Sequence, residues 1–425
     1  MKLKDKISSQ FRLSKKPALK FGFPVSSDEN ANVEKESQRG IAIIIALMII
    51  TFMIGFVADI VLSSRVANQM SINIEEKSKA DYLAKSGTNL ARFMLLADWG
   101  LDLFMKNTAK QEISDGPGDI WGALNGLPMG AGEAKQMAQM QESFELSDVS
   151  DSKVLSQMDL LEGQFIIETT DEDSKININY LVKENLSKKN VYPMLVALFS
   201  CPAEKEFLDR KDLSPEKIAA RIADYIDSDK RVKAGADYAD EETPYADRTP
   251  KHSPKNLPLD SIDELKLIDG WDDDLHAVFS PYLTVFPIIK EYYGSLNAAA
   301  LEKFSTVNIN TSARGFLGCM FAEMDIDCKE KFALKFKKNI EEKSNLSDGK
   351  NIKDVLRDLA CYEKNGETDK GNWFKANSSA FKVKVQGLVG DQVSEATSVV
   401  YRIDPEVMKK NKIEHALDLL YWKVR

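Results

Sequence analysis

Histidine is scarce in this chain of 425 residues: there are three, His252, His276 and His415, set too far apart to form a metal site or a nucleophile relay. No P-loop, G-x-S-x-G or H-E-x-x-H occurs either. Carboxylates are abundant enough for a glycosidase pair, but abundance is not a site, so catalysis is not expected. The four cysteines, Cys201, Cys319, Cys328 and Cys361, form no C-x-x-C, which argues against zinc and thioredoxin-like chemistry. In an oxidising compartment they allow up to two disulfides in three pairings; buried or free thiols are the other reading. Basic charge is short as well: 57 Lys and Arg stand against 66 Asp and Glu, a net −9. Residues 41–425 alone carry 48 against 61, or −13. Such a body repels phosphate backbones, and no basic, aromatic-rich patch offsets it, so nucleic acid is not an expected partner. Long apolar runs are absent with a single exception, which excludes a polytopic membrane protein.

That exception begins abruptly at Ile41, after Arg39-Gly40, and reaches Leu62 with one charge, Asp59. As a helix its 22 residues would be roughly 33 Å long, about one bilayer core. It is too long for a cleavable secretory signal, and no small-x-small site follows it. Positive charges near it do not orient it: Lys35 and Arg39 precede, and Arg65, Lys77 and Lys79 follow. The leader as a whole carries nine Lys and Arg against five Asp and Glu, which places residues 1–40 in the cytoplasm and the body outside. The helical pattern then continues. Leu83, Gly87, Leu90, Met94, Ala97, Leu101 and Met105 recur at three- and four-residue steps, with Asp81, Lys85, Asn89 and Arg92 opposite. Glu75 and Lys79 add an i,i+4 pair. The second half of this helix is expected to lay an apolar stripe on a globular domain.

Further on, "DGPGDIWGALNGLPMGAG" (residues 115–132) reads as loop. Phe165–Glu168 reads as a strand, and "DEDSK" (Asp171–Lys175) as the turn after it rather than a catalytic carboxylate pair. Helical patterns follow from Val191. Ser214 is a candidate N-cap before Pro215, Ser261 and Glu264 form a candidate capping box, and Thr311 or Ser312 is a third cap. The segment "SAFKVKVQGLVGDQVSEATSVVYRID" alternates as two strands around Gly390-Asp391, a hairpin.

A basic leader ending in Gly, an apolar helix directly after it and an amphipathic extension resemble a type IV pilin-like N-terminus. That resemblance implies cleavage by a membrane prepilin peptidase between Gly40 and Ile41, and N-methylation of Ile41. A residue without a side chain at position 40 lets the backbone enter a protease cleft. Most pilin-like subunits carry Glu at the fifth mature position, which is Ile45 here. Seven phrases, in order along nearly the whole chain, resemble the type II secretion minor pseudopilin of the K type: "RGIAIIIALMII", "AKSGTNLARFML", "DEDSKININYL", "ARIADYIDSD", "NLPLDSIDELKLIDGW", "STVNINTSARGFL" and "AFKVKVQGL". That family resembles this chain in lacking the fifth-position Glu.

The resemblance implies an α+β, type IV pilin-like fold: a long N-terminal helix on an antiparallel sheet, with a large helical, SAM-like insertion. Residues 1–40 would be the leader, 41–100 the transmembrane and amphipathic helix, and 101–179 a loop and the first strands. Residues 180–377 would be the insertion with two SAM-like modules, and 378–425 the closing hairpin and tail. It implies a single-pass inner-membrane subunit with a periplasmic body at the pseudopilus tip, nucleating assembly and supporting export of folded proteins. The implied partners are the I-type and J-type minor pseudopilins, with the H type and the major pseudopilin below. A minor pilin of a type IV pilus, priming assembly or adhesion, is the alternative reading.

Between Asp224 and Asp247 eight carboxylates gather: Asp224, Asp227, Asp229, Asp237, Asp240, Glu241, Glu242 and Asp247. Hard oxygen ligands on a loop suit Ca²⁺, although the spacing is not that of an EF-hand. The phrase resembles the calcium-binding part of the K-type family, with Asp237 where that family usually has Glu. The expected ligands are Asp227, Asp229, Asp237 and Asp240; a solvated acidic loop is the alternative. "LDSIDELKLIDGW" and "VNINTSARGFLG" resemble helix-hairpin-helix phrases, but Asp260, Asp263, Glu264, Asp269 and Asp272 to Asp274 would repel phosphate there.

Overall fold

The computed structural model describes residues 31–109, 114–130, 163–182, 191–227, 232, 238, 240–246, 251–288, 305–320 and 373–425. The leader up to residue 30 lies outside them. The chain divides into two units, Met1–Ser71 and Ile72–Arg425.

Helix α1 (Ala31–Ala109) contains no proline, so nothing removes a donor from its hydrogen-bond ladder. In the first unit its apolar residues stand free of protein: Ile41, Leu47, Phe52 and Ile60 are all exposed. This length of exposed apolar helix is sufficient to cross a membrane. In the second unit α1 becomes one-sided. Leu83, Leu90, Met94 and Leu95 are buried, as the periodicity predicts, while Tyr82 and Lys85 face out. The predicted stripe does not hold to its end. Leu101 and Met105 are exposed, and the buried position past Leu96 belongs to Asp98, because a charged partner across the interface rewards it there.

The sheet against which α1 packs has the order β1 (Pro128–Gly130), β2 (Gln164–Asp171), β7 (Ala380–Val389), β8 (Gln392–Arg402), β9 (Leu417–Val424). All four pairings are antiparallel. Alternation in "QFIIETTD" and "AFKVKVQGLV" turns Phe165, Ile167, Phe381, Val383 and Val385 into one core with Leu83, Leu90 and Leu95. Helix and sheet meet through small residues. A Cβ on Gly387 would fall 2.2 Å from the Ala80 carbonyl oxygen, and one on Gly87 would fall 2.6 Å from Val385 Cγ1. The β7–β8 hairpin turns at Gly390, φ +54°, as read from the sequence. Helix α7 (Pro405–Asn411) then leads into β9.

Strands β2 and β7 are neighbours, yet more than two hundred residues separate their ends in sequence; the described residues of that stretch form a second layer with a separate core cluster. Its described part holds β3 (Ile176–Asn177), α2 (Tyr192–Phe199), α3 (Pro202–Asp209), α4 (Pro215–Ile226), α5 (Asp273–Phe279), β4 (Leu283–Thr284), β5 (Val307–Asn308), α6 (Arg314–Met320) and β6 (Phe374–Lys375). Two caps stand as predicted: Ser214 accepts from Lys217 N at 3.1 Å, and Ser261 with Glu264 closes a capping box on a 3₁₀ turn.

This layer uses one design twice. β3 pairs in parallel with β4, and β5 with β6. Asn177 Oδ1 accepts from Asn179 N and Asn308 Oδ1 from Asn310 N, the same local turn in "ININ" and "VNIN". Asn179 Nδ2 donates to the Val285 carbonyl and Asn310 Nδ2 to that of Ala376, each the residue just past the paired strand. A disulfide between Cys201 and Cys319 joins the α2–α3 corner to α6. Cys328 and Cys361 lie outside the described residues.

Candidate functional site

Gly40, Ile41 and Ile45 sit within α1, Ile41 56% and Ile45 51% exposed. A Cβ at Gly40 would meet nothing within 4 Å, so the glycine is not required by packing. Isoleucine at 45 keeps this helix uncharged from Ile41 to Asp59, which hydrocarbon surroundings favour by several kcal/mol over a lone carboxylate (~2.5–3.5 for Asp at mid-bilayer).

The acidic loop is described in part. Asp227 caps the C-terminus of α4 and is buried, as are Asp224 and Glu241. Tyr238 donates to Asp224 Oδ2 at 2.8 Å, and its own burial and that carboxylate hold the phenol protonated. Asp240 is exposed and accepts from Glu242 N at 2.9 Å. Asp229 and Asp237, the other two expected ligands, and Asp247 lie outside the described residues.

The turn after β2 is a turn, as expected, but its side chains are buried and form the joint between sheet and second layer. Asp173 Oδ2 accepts from Ser379 N at 2.6 Å, Ser379 Oγ at 2.9 Å and Lys375 Nζ at 2.9 Å. Asp171 Oδ2 accepts from Asn308 Nδ2, Thr311 Oγ1 and Ser378 Oγ. Burial and the adjacent Asp173 push the Asp171 carboxyl upward. Glu172 pairs with Lys175 at 2.7 Å and accepts from Thr284. The hydroxyls expected to cap α6 are thus used otherwise: Thr311 on Asp171, and Ser312 on the carbonyls of Asn308 and Ser174. Both ends of the second layer, before β3 and after β6, are held by one acidic triplet.

Beside the joint lies a cluster that the sequence reading did not single out. Arg402, at the end of β8, donates from Nη2 to Asp98 Oδ2 at 2.6 Å and from Nη1 to Asp115 Oδ1 at 2.8 Å. Its guanidinium lies 4.5 Å from the Phe381 ring centroid. Desolvation pulls the guanidinium pKa down, but Asp115 and Asp98 outweigh it and hold Arg402 above its usual value. Burial raises Asp98, against the pull of Arg402. With Asp102 these acids form the one set of three carboxylates within 4.8 Å of each other among the described residues. Two of the three, Asp98 and Asp115, already have Arg402 as their cation. The signal in the sequence was "ADWGLD", two aspartates one helical turn apart, close to a stripe of leucines.

A long α1 packed on an antiparallel sheet is a pilin-like α+β fold, carrying here a large insertion between β2 and β7. Residues 174–288 match the family described as type II secretion system (T2SS), protein K. That match falls on the chain between β2 and β7 and agrees with the K-type minor pseudopilin resemblance. Among solved structures, the crystal structure of the GspK–GspI–GspJ complex from the enterotoxigenic Escherichia coli type 2 secretion system is similar at a TM-score of 0.47 and 16% identity, over 80% of this chain and 98% of that one. No curated protein matches the chain.

Proposed function

We propose that this chain is a non-enzymatic minor pseudopilin at the tip of the type II secretion pseudopilus. In this role it nucleates pseudopilus assembly and supports export of folded proteins. The observation that carries the reading is the protein K match over residues 174–288, set in a sheet whose packing helix extends into an apolar stem. The stem anchors the subunit once in the inner membrane, with the body in the periplasm. Prepilin peptidase cuts between Gly40 and Ile41, and Ile41 is then N-methylated. An uncharged residue at 45 suits a subunit with no neighbour above it, since no amino terminus is there to meet a carboxylate. The partners are I-type and J-type subunits, with the H type and the major pseudopilin below; the two repeated modules of the insertion are its SAM-like parts.

Calcium belongs to the same reading. Asp227, Asp229, Asp237 and Asp240 are its proposed ligands. Burial of Asp224, Asp227 and Glu241 in one short segment supports it, because hard oxygens and concentrated negative charge inside a protein suit a divalent cation. Titration calorimetry of the purified chain should show calcium binding that Asp227→Asn weakens; absence of heat would leave the solvated-loop reading.

The deciding experiment is intact mass and N-terminal sequencing of the protein from membranes, with and without active prepilin peptidase, followed by co-purification with I- and J-type subunits. A methylated chain starting at Ile41 and a ternary complex are expected. Retention of residues 1–40 would make it an ordinary signal-anchored protein. Correct processing without I- and J-type partners would favour the type IV minor pilin.

A further inference from the structure

The cluster around Arg402 is unbalanced in charge. Arg402 satisfies Asp98 and Asp115, and the other oxygens of these two acids are engaged as well: Asp98 Oδ1 accepts from Ile120 N at 3.1 Å, and Asp115 Oδ2 from Ser378 N at 2.7 Å. Asp102, one turn beyond Asp98 on α1, is the acid left over. It is half-buried, within 4.8 Å of both carboxylates, and accepts no hydrogen bond among the described residues. The groups that face it are Asp98 from α1, Asp115 and Asp119 from the segment after α1, and Arg402 from β8. Three acids face it against one base.

We propose that Asp102 is a proton-controlled latch at the corner where α1, the segment 114–120 and β8 meet. Carrying a proton, Asp102 lets the three elements close on Arg402. Without it, Asp102 joins Asp98, Asp115 and Asp119 as a fourth carboxylate against one guanidinium, and repulsion loosens the contact of α1 with residues 115–120. Asp115 belongs to this corner and to the joint of the insertion at once: its N–H donates to the Ala376 carbonyl at 2.7 Å, and its carbonyl accepts from Asn308 Nδ2 at 3.1 Å. The latch therefore acts on the point that couples the second half of α1 to the insertion.

Burial, then repulsion from Asp115 and Asp98, pushes the Asp102 carboxyl up to about 7, so the latch switches near neutral pH. The sign follows from linkage. An acid whose folded pKa exceeds its unfolded value makes the native state bind more protons, so the closed state weakens as pH rises through the window up to about 7. Between pH 6 and pH 8 the equilibrium constant for closure should fall by up to about tenfold.

Amide hydrogen exchange of the full chain in detergent micelles reads this directly, as protection factors corrected for the intrinsic pH dependence of exchange. The amides of Ile120 and Ser378, which donate to Asp98 and Asp115, report the corner; that of Lys217, capped by Ser214, is a remote control. Expected is a fall in protection of up to about tenfold at Ile120 and Ser378 between pH 6 and pH 8, with Lys217 unchanged. Asp102→Asn and Asp102→Ser should abolish that fall. A wild-type chain with flat protection at these amides, or variants with the same fall as wild type, would overturn the proposal. The wild-type profile alone suffices for the first of these outcomes, so the test survives a variant that fails to fold.

Discussion

The Cys201–Cys319 disulfide closes a loop of 118 residues within the insertion. Cross-linking removes the closure entropy of that loop from the unfolded chain. For this length it amounts to about 16 cal/mol/K, or about 5 kcal/mol at 25 °C, the upper end of what native disulfides contribute. Cys319 is buried in the insertion core and Cys201 packs against it, so the bridge also fixes α6 on the α2–α3 corner. Reducing agent would attack any bridge of Cys328 and Cys361 too, so the clean perturbation is the double variant Cys201→Ala, Cys319→Ala. Guanidinium unfolding followed by tryptophan fluorescence is the assay, since Trp271 and Trp373 lie in the same core. With a slope of roughly 4 kcal/mol/M, the midpoint should drop by about 1.2 M. Each single alanine variant should lose nearly as much as the double, because either one opens the loop. A double variant within about 1 kcal/mol of wild type, or single variants whose losses add, would refute the loop-closure argument.

Two other perturbations test the packing. Gly387→Ala places a Cβ 2.2 Å from the Ala80 carbonyl oxygen, in a backbone-on-backbone contact with no flexible side chain to yield. Thermal melting should show a loss of at least ~1–3 kcal/mol, whereas Gly100→Ala, whose Cβ meets nothing within 4 Å, should be neutral or stabilising. Arg402→Met leaves Asp98 and Asp115 buried without their cation and should cost ~3–5 kcal/mol in urea unfolding. Adding Asp98→Leu and Asp115→Leu should recover part of that loss.

Much of the chain was legible without coordinates because the signals are local. The apolar run from Ile41, the alternation of β7 and β8 around Gly390, and the caps at Ser214 and Ser261 each depend on residues within one turn or one hairpin of each other. The acidic loop was visible as composition, a local property of residues 224–247. Leu101 and Met105 were misjudged because periodicity reports which residues could face a core, not where the core ends.

By itself, then, the sequence determined the long helix, the hairpin and the helices of the described insertion, all properties of neighbouring residues. Only the tertiary structure decided what Arg402 is for. Asp98, Asp115 and Arg402 are separated by up to 304 positions, and a lone charge in an alternating strand looks the same whether it meets water or two buried acids. It also decided that Thr311 and Ser312 serve the joint rather than a helix cap, and which cysteine Cys201 meets. Pairings of this kind depend on which distant segments the core brings together, and that follows from the packing of the whole chain.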